Sequence, residues 1–345
     1  MSDVYPRESG VRRTVPNRAT MADVARLAGV SLKTTSRALT GSPHVRPATS
    51  MKVQEAARAL RFRPNAIARD LRNRGVASAV GFVIGDLTNP FYSGVAAGVS
   101  EVSTARGMTL LIAASDDQVV QERLTVTSML ERRVLALLLV PIADDHAYLD
   151  GERQLGTPIV AVDRPLSGAA SDSVVVDNRV GARNGVLALI DAGHRRIAFV
   201  GSSSKIYTHG ERADGYLDAL SLRGISYEPA LLLTGAPSVA KAEMVTVQLL
   251  DSDDPPSAIF AGNNRAATGV YQGIKSRDAT TAMIGFDDFE FAEALGISVV
   301  SHSPREMGRV AADLAFRRVQ DITGVLEQIV LPTHLLLRDS HRLHV

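Results

Sequence analysis

The sequence predicts an α/β protein with a small all-α head, on three observations. A helix-turn-helix pattern lies between Ala22 and Leu39, short apolar strands alternate with amphipathic helices from Ala79 onward, and the charge is split between these two parts. From Met1 to Arg74 there are 15 Lys and Arg against 5 Asp and Glu, a net of +10, whereas the remainder carries 23 basic and 32 acidic side chains, a net of −9. The total of +1 therefore conceals a basic head on an acidic body. A basic head displaces counterions from phosphate, and an acidic body keeps the rest of the molecule from adhering to nucleic acid.

Residues 1–19 are polar, contain Pro6 and Pro16, and hold Arg7, Arg12, Arg13 and Arg18. They read as a disordered basic arm that either touches phosphate or is a solvated tail. With no apolar stretch among them they are not a secretory signal. Val24, Ala25, Leu27 and Ala28 then make an apolar face at helical spacing, Gly29 ends that helix in a left-handed conformation, and Ser31 caps a second helix. The exposed side of the second helix offers Leu32, Lys33, Thr34 and Arg37. In a helix-turn-helix this helix enters the major groove with its N-terminal residues at base edges. Leu32, Lys33 and Arg37 are the expected base readers, with Arg37 suited to guanine, while Ser31, Thr34 and the arm arginines are expected on phosphate. Arg46-Pro47 opens a third helix with the stripe Val53, Ala56, Ala57 and Leu60. Phe62-Arg63-Pro64-Asn65 breaks it. Asn65 caps the segment Ala66–Leu71, about two turns that are marginal alone and are expected to order against a partner.

In the body the expected strands are Ala79–Ile84, Thr109–Ala113, Leu135–Val140, Ile159–Val162, Ile197–Val200, Ala258–Ala261 and Ala282–Ile284. Helical patterns lie between them, as in Tyr92–Arg106 and Gln118–Arg132. Short apolar strands alternating with helices imply parallel sheets covered on both faces. Ligands of such sheets bind beyond the carboxyl ends of the strands, where Asn89, Asp163, Arg164, Asn263 and Asp287 fall. No internal repeat is visible.

Several functions are disfavoured. There are no cysteines, so disulfides and thiolate metal sites are excluded. The longest apolar run, Val134–Ala143, is too short to span a bilayer and contains Pro141. No Gly-x-Ser-x-Gly, phosphate-binding glycine loop or His-Glu-x-x-His occurs. Gly201-Ser202-Ser203-Ser204 reads as a strand-end loop, and Asp144-Asp145-His146 as acids at a helix start rather than a metal pair. Asp287-Asp288 with Glu290 is the nearest approach to an acid/base set. No catalytic residue, cofactor or metal is expected, and the cytoplasm is the natural location.

A family resemblance runs over residues 20–340. It is carried by Asp23-Val24-Ala25 with Gly29-Val30-Ser31, Thr34 with Ser36-Arg37, Arg63-Pro64-Asn65, Asn89-Pro90-Phe91-Tyr92, Asp163-Arg164-Pro165, Gly193-His194-Arg195-Arg196-Ile197, Gly285-Phe286-Asp287-Asp288 and Arg338-Asp339-Ser340. In joint order and spacing these resemble the LacI/GalR family of bacterial transcription regulators. The resemblance implies a helix-turn-helix head at 20–64, a hinge helix and linker at 65–77, and a body at 78–340 like the periplasmic sugar-binding proteins. It divides the body into one subdomain of about 78–175 plus 302–331 and another of about 176–301 plus 332–340. It also implies a homodimer on a palindromic operator, with Leu71 as a wedge in the minor groove. A dimer rather than a tetramer is expected because no sustained heptads follow Arg338-Asp339-Ser340.

The pocket implied by the resemblance comprises Asn89, Phe91, Tyr92, Asp163, Arg164, Arg212, Asn263 and Asp287, with His302 at a crossover between subdomains. Aromatics suit the faces of a sugar ring, and carboxylates, guanidinium groups and amides suit its hydroxyls. The expected effector is a monosaccharide, a pentose or related polyol; control by a partner protein is the alternative. The chain departs from the family pattern at Asn264, where Asp is common, at His302, where Gln is common, and at Thr35, where Val is usual. The segment Lys275–Thr280 is also shorter.

Overall fold

The computed structural model describes residues 19–63 and 78–342, and the chain divides between Val76 and Ala77 into two compact units. The arm before Ala19, the cap Asn65, the segment Ala66–Leu71 and its Leu71 lie outside the described residues.

In the first unit, helix α1 spans Met21–Ala28, α2 Leu32–Leu39 and α3 Pro47–Ala59. Thr20 and Asp23 form a reciprocal capping box at the start of α1, satisfying two backbone donors that the helix leaves open. Gly29 closes α1 with φ 66°, and Ser31 caps α2 by accepting from the Thr34 N–H at 3.1 Å. Val24, Ala38, Val53, Ala56 and Ala57 form the core, with Val30, Val45, Leu60 and Phe62 packed against it. Leu27, expected on the apolar face, is instead 57% exposed. The helices are short, and the core is filled by Val24 and Ala25 on that face.

The second unit holds two six-stranded sheets. Strands β1 (Ala79–Ile84), β2 (Thr109–Ala114), β3 (Leu137–Leu139), β4 (Ile159–Val162) and β5 (Asp172–Val176) belong to the first sheet. Strands β6 (Ile197–Val200), β7 (Leu232–Leu233), β8 (Ala258–Ala261), β9 (Ala282–Phe286) and β10 (Ser298–Ser301) belong to the second. β11 (Gln328–Leu331) returns to the first sheet and β12 (His334–Leu336) to the second. The orders are β11-β5-β4-β3-β1-β2 and β12-β10-β9-β8-β6-β7, so the two sheets share one winding pattern that leaves no repeat in the sequence. All pairings are parallel except the β10–β12 pair.

Helices α4 (Pro90–Ala105), α5 (Val119–Glu131), α7 (Asn178–Asp191), α8 (Tyr207–Leu222), α9 (Val239–Leu250), α10 (Asn264–Ser276) and α11 (Pro304–Gln320) cover the sheets, while the short α6 (Asp150–Gln154) buries none of its residues. Alternate strand residues point to opposite faces. Val80, Phe82, Leu138 and Val140 therefore meet Val95, Val99, Met307 and Ala311 of α4 and α11, while Val83, Leu137 and Leu139 meet Val126 and Met129 of α5. The second sheet is clad in the same way by α7 and α8 on one face and α9 and α10 on the other.

The seven strands expected from the sequence are present, with β3 shorter and β2 and β9 longer. Strands β5, β7, β10, β11 and β12 were not anticipated. β5 begins with Asp172, a charged residue that strand patterns disfavour. It is buried because Arg318 of α11 holds both of its oxygens, at 2.7 and 2.9 Å. The tail is fixed by Ser340, whose hydroxyl donates to the Met283 carbonyl at 2.7 Å and accepts from the Ser298 N–H at 2.8 Å.

Helices α4 and α11 approach through reciprocal glycines. A Cβ on Gly98 would run into the Arg305 carbonyl oxygen, and one on Gly308 into that of Val95. Gly98→Ala and Gly308→Ala should each lower stability by about 1–3 kcal/mol, against the usual gain from replacing helical glycine. Gly151→Ala in α6, where a Cβ meets nothing within 4 Å, should be neutral or stabilising. Urea melts of the three variants check this; equal stability of Gly98→Ala and wild type would contradict the packing.

Candidate functional site

On the head, α2 turns Ser31, Leu32, Lys33 and Arg37 outward, with Thr34 half-buried. Leu32 is 53% exposed, as is its neighbour in the head Leu27 at 57%. The Ser31 hydroxyl is already engaged by the cap and by the Thr34 hydroxyl at 2.8 Å. Thr35 is fully buried and its hydroxyl donates back to the Ser31 carbonyl at 3.1 Å. That bond satisfies the polar atom gained where valine would pack.

In the body, both sheets reverse their strand order, between β1 and β3 in the first and between β6 and β8 in the second. Ligand crevices of parallel sheets form at such switch points, beyond the carboxyl ends of the strands. Here the two face each other across a cavity of about 50 Å3. Asn89, Phe91, Tyr92, Asp163 and Arg164 line it from the first subdomain, and Thr208, His209, Arg212, Asn263, Asn264 and Asp287 from the second.

The lining is built in matching pairs. Asn89 caps α4 by accepting from the Phe91 N–H at 3.1 Å, and Asn263 caps α10 by accepting from the Ala266 N–H at 2.7 Å. Asp163 follows β4 with φ 74°, and Asp287 follows β9 with φ 69°. Left-handed backbone at a non-glycine residue is strained, and it is held here by a ladder bond from each N–H, to Val174 O and to Val300 O, both 2.9 Å. The Arg164 guanidinium donates to Asp163 and to the Tyr92 hydroxyl, both at 3.1 Å. Arg212 donates to the Asn178 side chain and the Gly262 carbonyl, each at 2.8 Å, and to Asp287 at 3.1 and 3.3 Å. Its guanidinium carbon also lies 3.7 Å from the centre of the Phe286 ring. Phe91 stands edge-on to Tyr92, ring centres 5.1 Å apart.

Bonds also cross the cleft directly. The Asn264 amide donates to Asn89 Oδ1 at 3.0 Å, and Arg265 reaches Thr88 at 2.7 Å and Asp86. These contacts hold the subdomains closed upon the cavity.

Eight of the nine effector residues singled out in the sequence line this one cavity. His302 does not. It stands behind Asp287, its Nε2 donating to Asp287 Oδ1 at 3.1 Å, and so orients the carboxylate rather than lining the space. Thr208 and His209 were not anticipated, although they lie four and three residues before Arg212 and hence on its face of α8. Asn264 was noted only for its lost charge. Asp288 is bound by Arg338 at 3.3 Å, and Asp145 caps the turn at the Ala147 N–H at 2.9 Å. Among the described residues no group of three or more His, Asp or Glu could hold a metal, and no helix is long and apolar enough to cross a membrane.

Burial alone would raise the Asp287 carboxyl, but the charge of Arg212 and the bond from His302 outweigh it and hold it well below its ordinary 3.8. The stability contributed by this lowered value is present above 3.8 and is lost as pH falls through the folded value. Asp287→Asn should therefore melt lower than wild type at neutral pH, and the two curves should draw together as pH falls below 3.8. Thermal melts across that range check it; a constant gap down to strong acid would show that the carboxylate charge is not what stabilises.

Residues 20–65 match the family model of bacterial regulatory proteins, lacI family, and residues 186–341 match a periplasmic binding protein-like domain. The HTH-type transcriptional regulator CelR of Thermobifida fusca is 31% identical over 337 residues, which cover 94% of this chain and 98% of CelR. A solved transcriptional regulator CelR–cellobiose complex aligns with TM-score 0.69 at 27% identity, over 94% of this chain and 100% of that one. The lac repressor dimer bound to operator and an anti-inducer aligns with TM-score 0.81 over 94% of this chain and 100% of that one; at 23% identity it speaks to the fold. Similarity of this degree along nearly the whole chain shows that it belongs to the lacI family of bacterial regulatory proteins, and is a DNA-binding transcription regulator rather than an enzyme.

Proposed function

We propose that this regulator is a repressor that binds a palindromic operator as a homodimer and is switched by a monosaccharide or related polyol in the cavity. The observation that carries the switch is the cavity itself, where both sheets bring amides, carboxylates, guanidinium groups and aromatic rings to one small space. That combination recognises hydroxyls and sugar ring faces. Because such a ligand touches both subdomains, its affinity depends on how they close, which is the differential contact that an allosteric effect requires. The chain crosses between subdomains three times, after β5, β10 and β11, so closure turns one sheet against the other about those crossings.

On the head, Leu32, Lys33 and Arg37 read base edges, with Ser31 and Thr34 on phosphate. The segment Ala66–Leu71, capped by Asn65, forms a hinge helix that pairs with its twin at the operator centre, Leu71 entering the minor groove there. Effector-driven movement of the body releases that pairing. The homodimer reading draws support from an apolar stretch along edge strand β2 and helix α5, where Ile112 is 43%, Val120 73% and Leu124 60% exposed. An edge strand with such neighbours is a ready partner surface for a second copy.

Operators selected from a random DNA library should be palindromic, and Lys33→Ala and Arg37→Ala should each relax the preference at one position per half-site, by about 1–3 kcal/mol for a bidentate base contact. Retention of the wild-type motif by both variants would overturn the base-reading assignment. Light scattering at micromolar concentration should give a dimer for wild type and a monomer for Leu124→Glu. A wild-type monomer would remove the homodimer.

A further inference from the structure

We propose that the effector is an uncharged polyol and that His209 is a specificity-determining residue that hydrogen-bonds one of its hydroxyls. The inference rests on the effector reading above and narrows it in two ways.

The first argument is charge balance. The cavity is lined by two cations and two carboxylates, and each cation is already spent on its own carboxylate: Arg164 on Asp163, and Arg212 on Asp287. Arg212 has further donors committed to Asn178 and the Gly262 carbonyl. Arg265, the next guanidinium along α10, is taken by Asp86 and Thr88. Asp117 lies close enough to Tyr92 and Arg164 to add a further negative charge behind the first subdomain's wall. A phosphate ester brings a charge near −2 and needs a local surplus of positive charge. Entering here, it would face two carboxylates whose counter-charges are already used. Among the other lining groups, Asn89, Asn263, Asn264 and Thr208 are neutral and suit hydroxyls.

The second argument is an unmet hydrogen bond. His209 lies in the first turn of α8 and lines the cavity, and its Nδ1 is buried without a partner. A buried polar atom left unpaired is costly, and a bound ligand that pairs it recovers that cost on binding. Burial, followed by the nearby charges of Arg212 and Arg164, holds the ring's pKa down at about 3, so it is the neutral imidazole at physiological pH. A neutral imidazole donates from one nitrogen and accepts at the other, and a hydroxyl can answer either role. A protonated ring would have favoured an anion instead.

The test is calorimetry and thermal shift on the full chain, using a panel of unphosphorylated aldoses, ketoses and alditols beside their phosphate esters. A member of the neutral set should bind and raise the melting temperature, and its phosphate ester should bind at least tenfold more weakly. His209→Ala should weaken the neutral ligand tenfold or more, while His209→Asn, which keeps a polar atom near the Nδ1 position, should recover part of the loss. Unliganded melts of both variants establish that they fold. Tighter binding of the ester than of its parent sugar would overturn the neutral-effector inference. Wild-type affinity in His209→Ala, with binding abolished in Asn263→Ala, would overturn the role of His209 and leave the cavity reading standing. Failure of every compound to bind would overturn the effector reading itself.

Discussion

Arg212 and Asp287 are joined at 3.1 Å with side chains only 5% and 13% exposed, and the rest of the cavity is arranged around them. Two charges taken out of water are tolerated when their geometry is good and their remaining donors and lone pairs are met. Here Arg212 also reaches Asn178, the Gly262 carbonyl and the Phe286 ring, and Asp287 also receives His302. The pair ties α8 to the end of β9, and through Asn178 to the start of α7. Removing either partner would leave a buried charge behind. Loss of effector response in an Arg212→Ala variant would thus mix binding with stability, and His209, which caps no helix, is the cleaner place to probe recognition.

The first subdomain repeats this logic more simply. Asp163 and Arg164 are neighbours in sequence and pair at 3.1 Å, and the Tyr92 hydroxyl accepts a second bond from the guanidinium. Both carboxylates follow a strand with positive φ, and both N–H groups remain in the sheet ladder. The cavity is thus two similar strand ends brought face to face, each with its own internal ion pair and its own asparagine cap. Each wall thus carries its own counter-charge, and the site is strongly polar while its two ion pairs add no net charge.

Closure of the cleft draws on contacts distinct from the lining pairs. Asn264 to Asn89 and Arg265 to Thr88 and Asp86 join the subdomains directly. Where the resemblance expects a carboxylate at position 264, the amide here can donate to Asn89 Oδ1, which a carboxylate could not. The substitution therefore converts a position that would repel the Asn89 oxygen into one that holds it.

Much of this was legible in the sequence, for a local reason. Helix caps at Thr20 and Ser31, the left-handed Gly29, the buried parallel strands and the charge split each depend on a few neighbouring residues, so their pattern survives in one dimension. Asn89, Asp163, Arg164, Asn263 and Asp287 were legible because they stand at strand ends and helix starts, whereas Phe91, Tyr92 and Arg212 came from the family resemblance. Tertiary structure decided the rest. Asp172 becomes a buried strand residue only because Arg318, 146 residues away, supplies its counter-charge. His302 was expected among the effector residues, and its placement behind Asp287 follows from the crossing after β10. His209 gained significance only once folding covered its Nδ1 and left it unpaired beside Arg212. Residue types and spacings determined the family and the broad chemistry of the site; which polar groups meet their partners, and which are left for a ligand, is fixed by long-range packing that spacing along the chain does not encode.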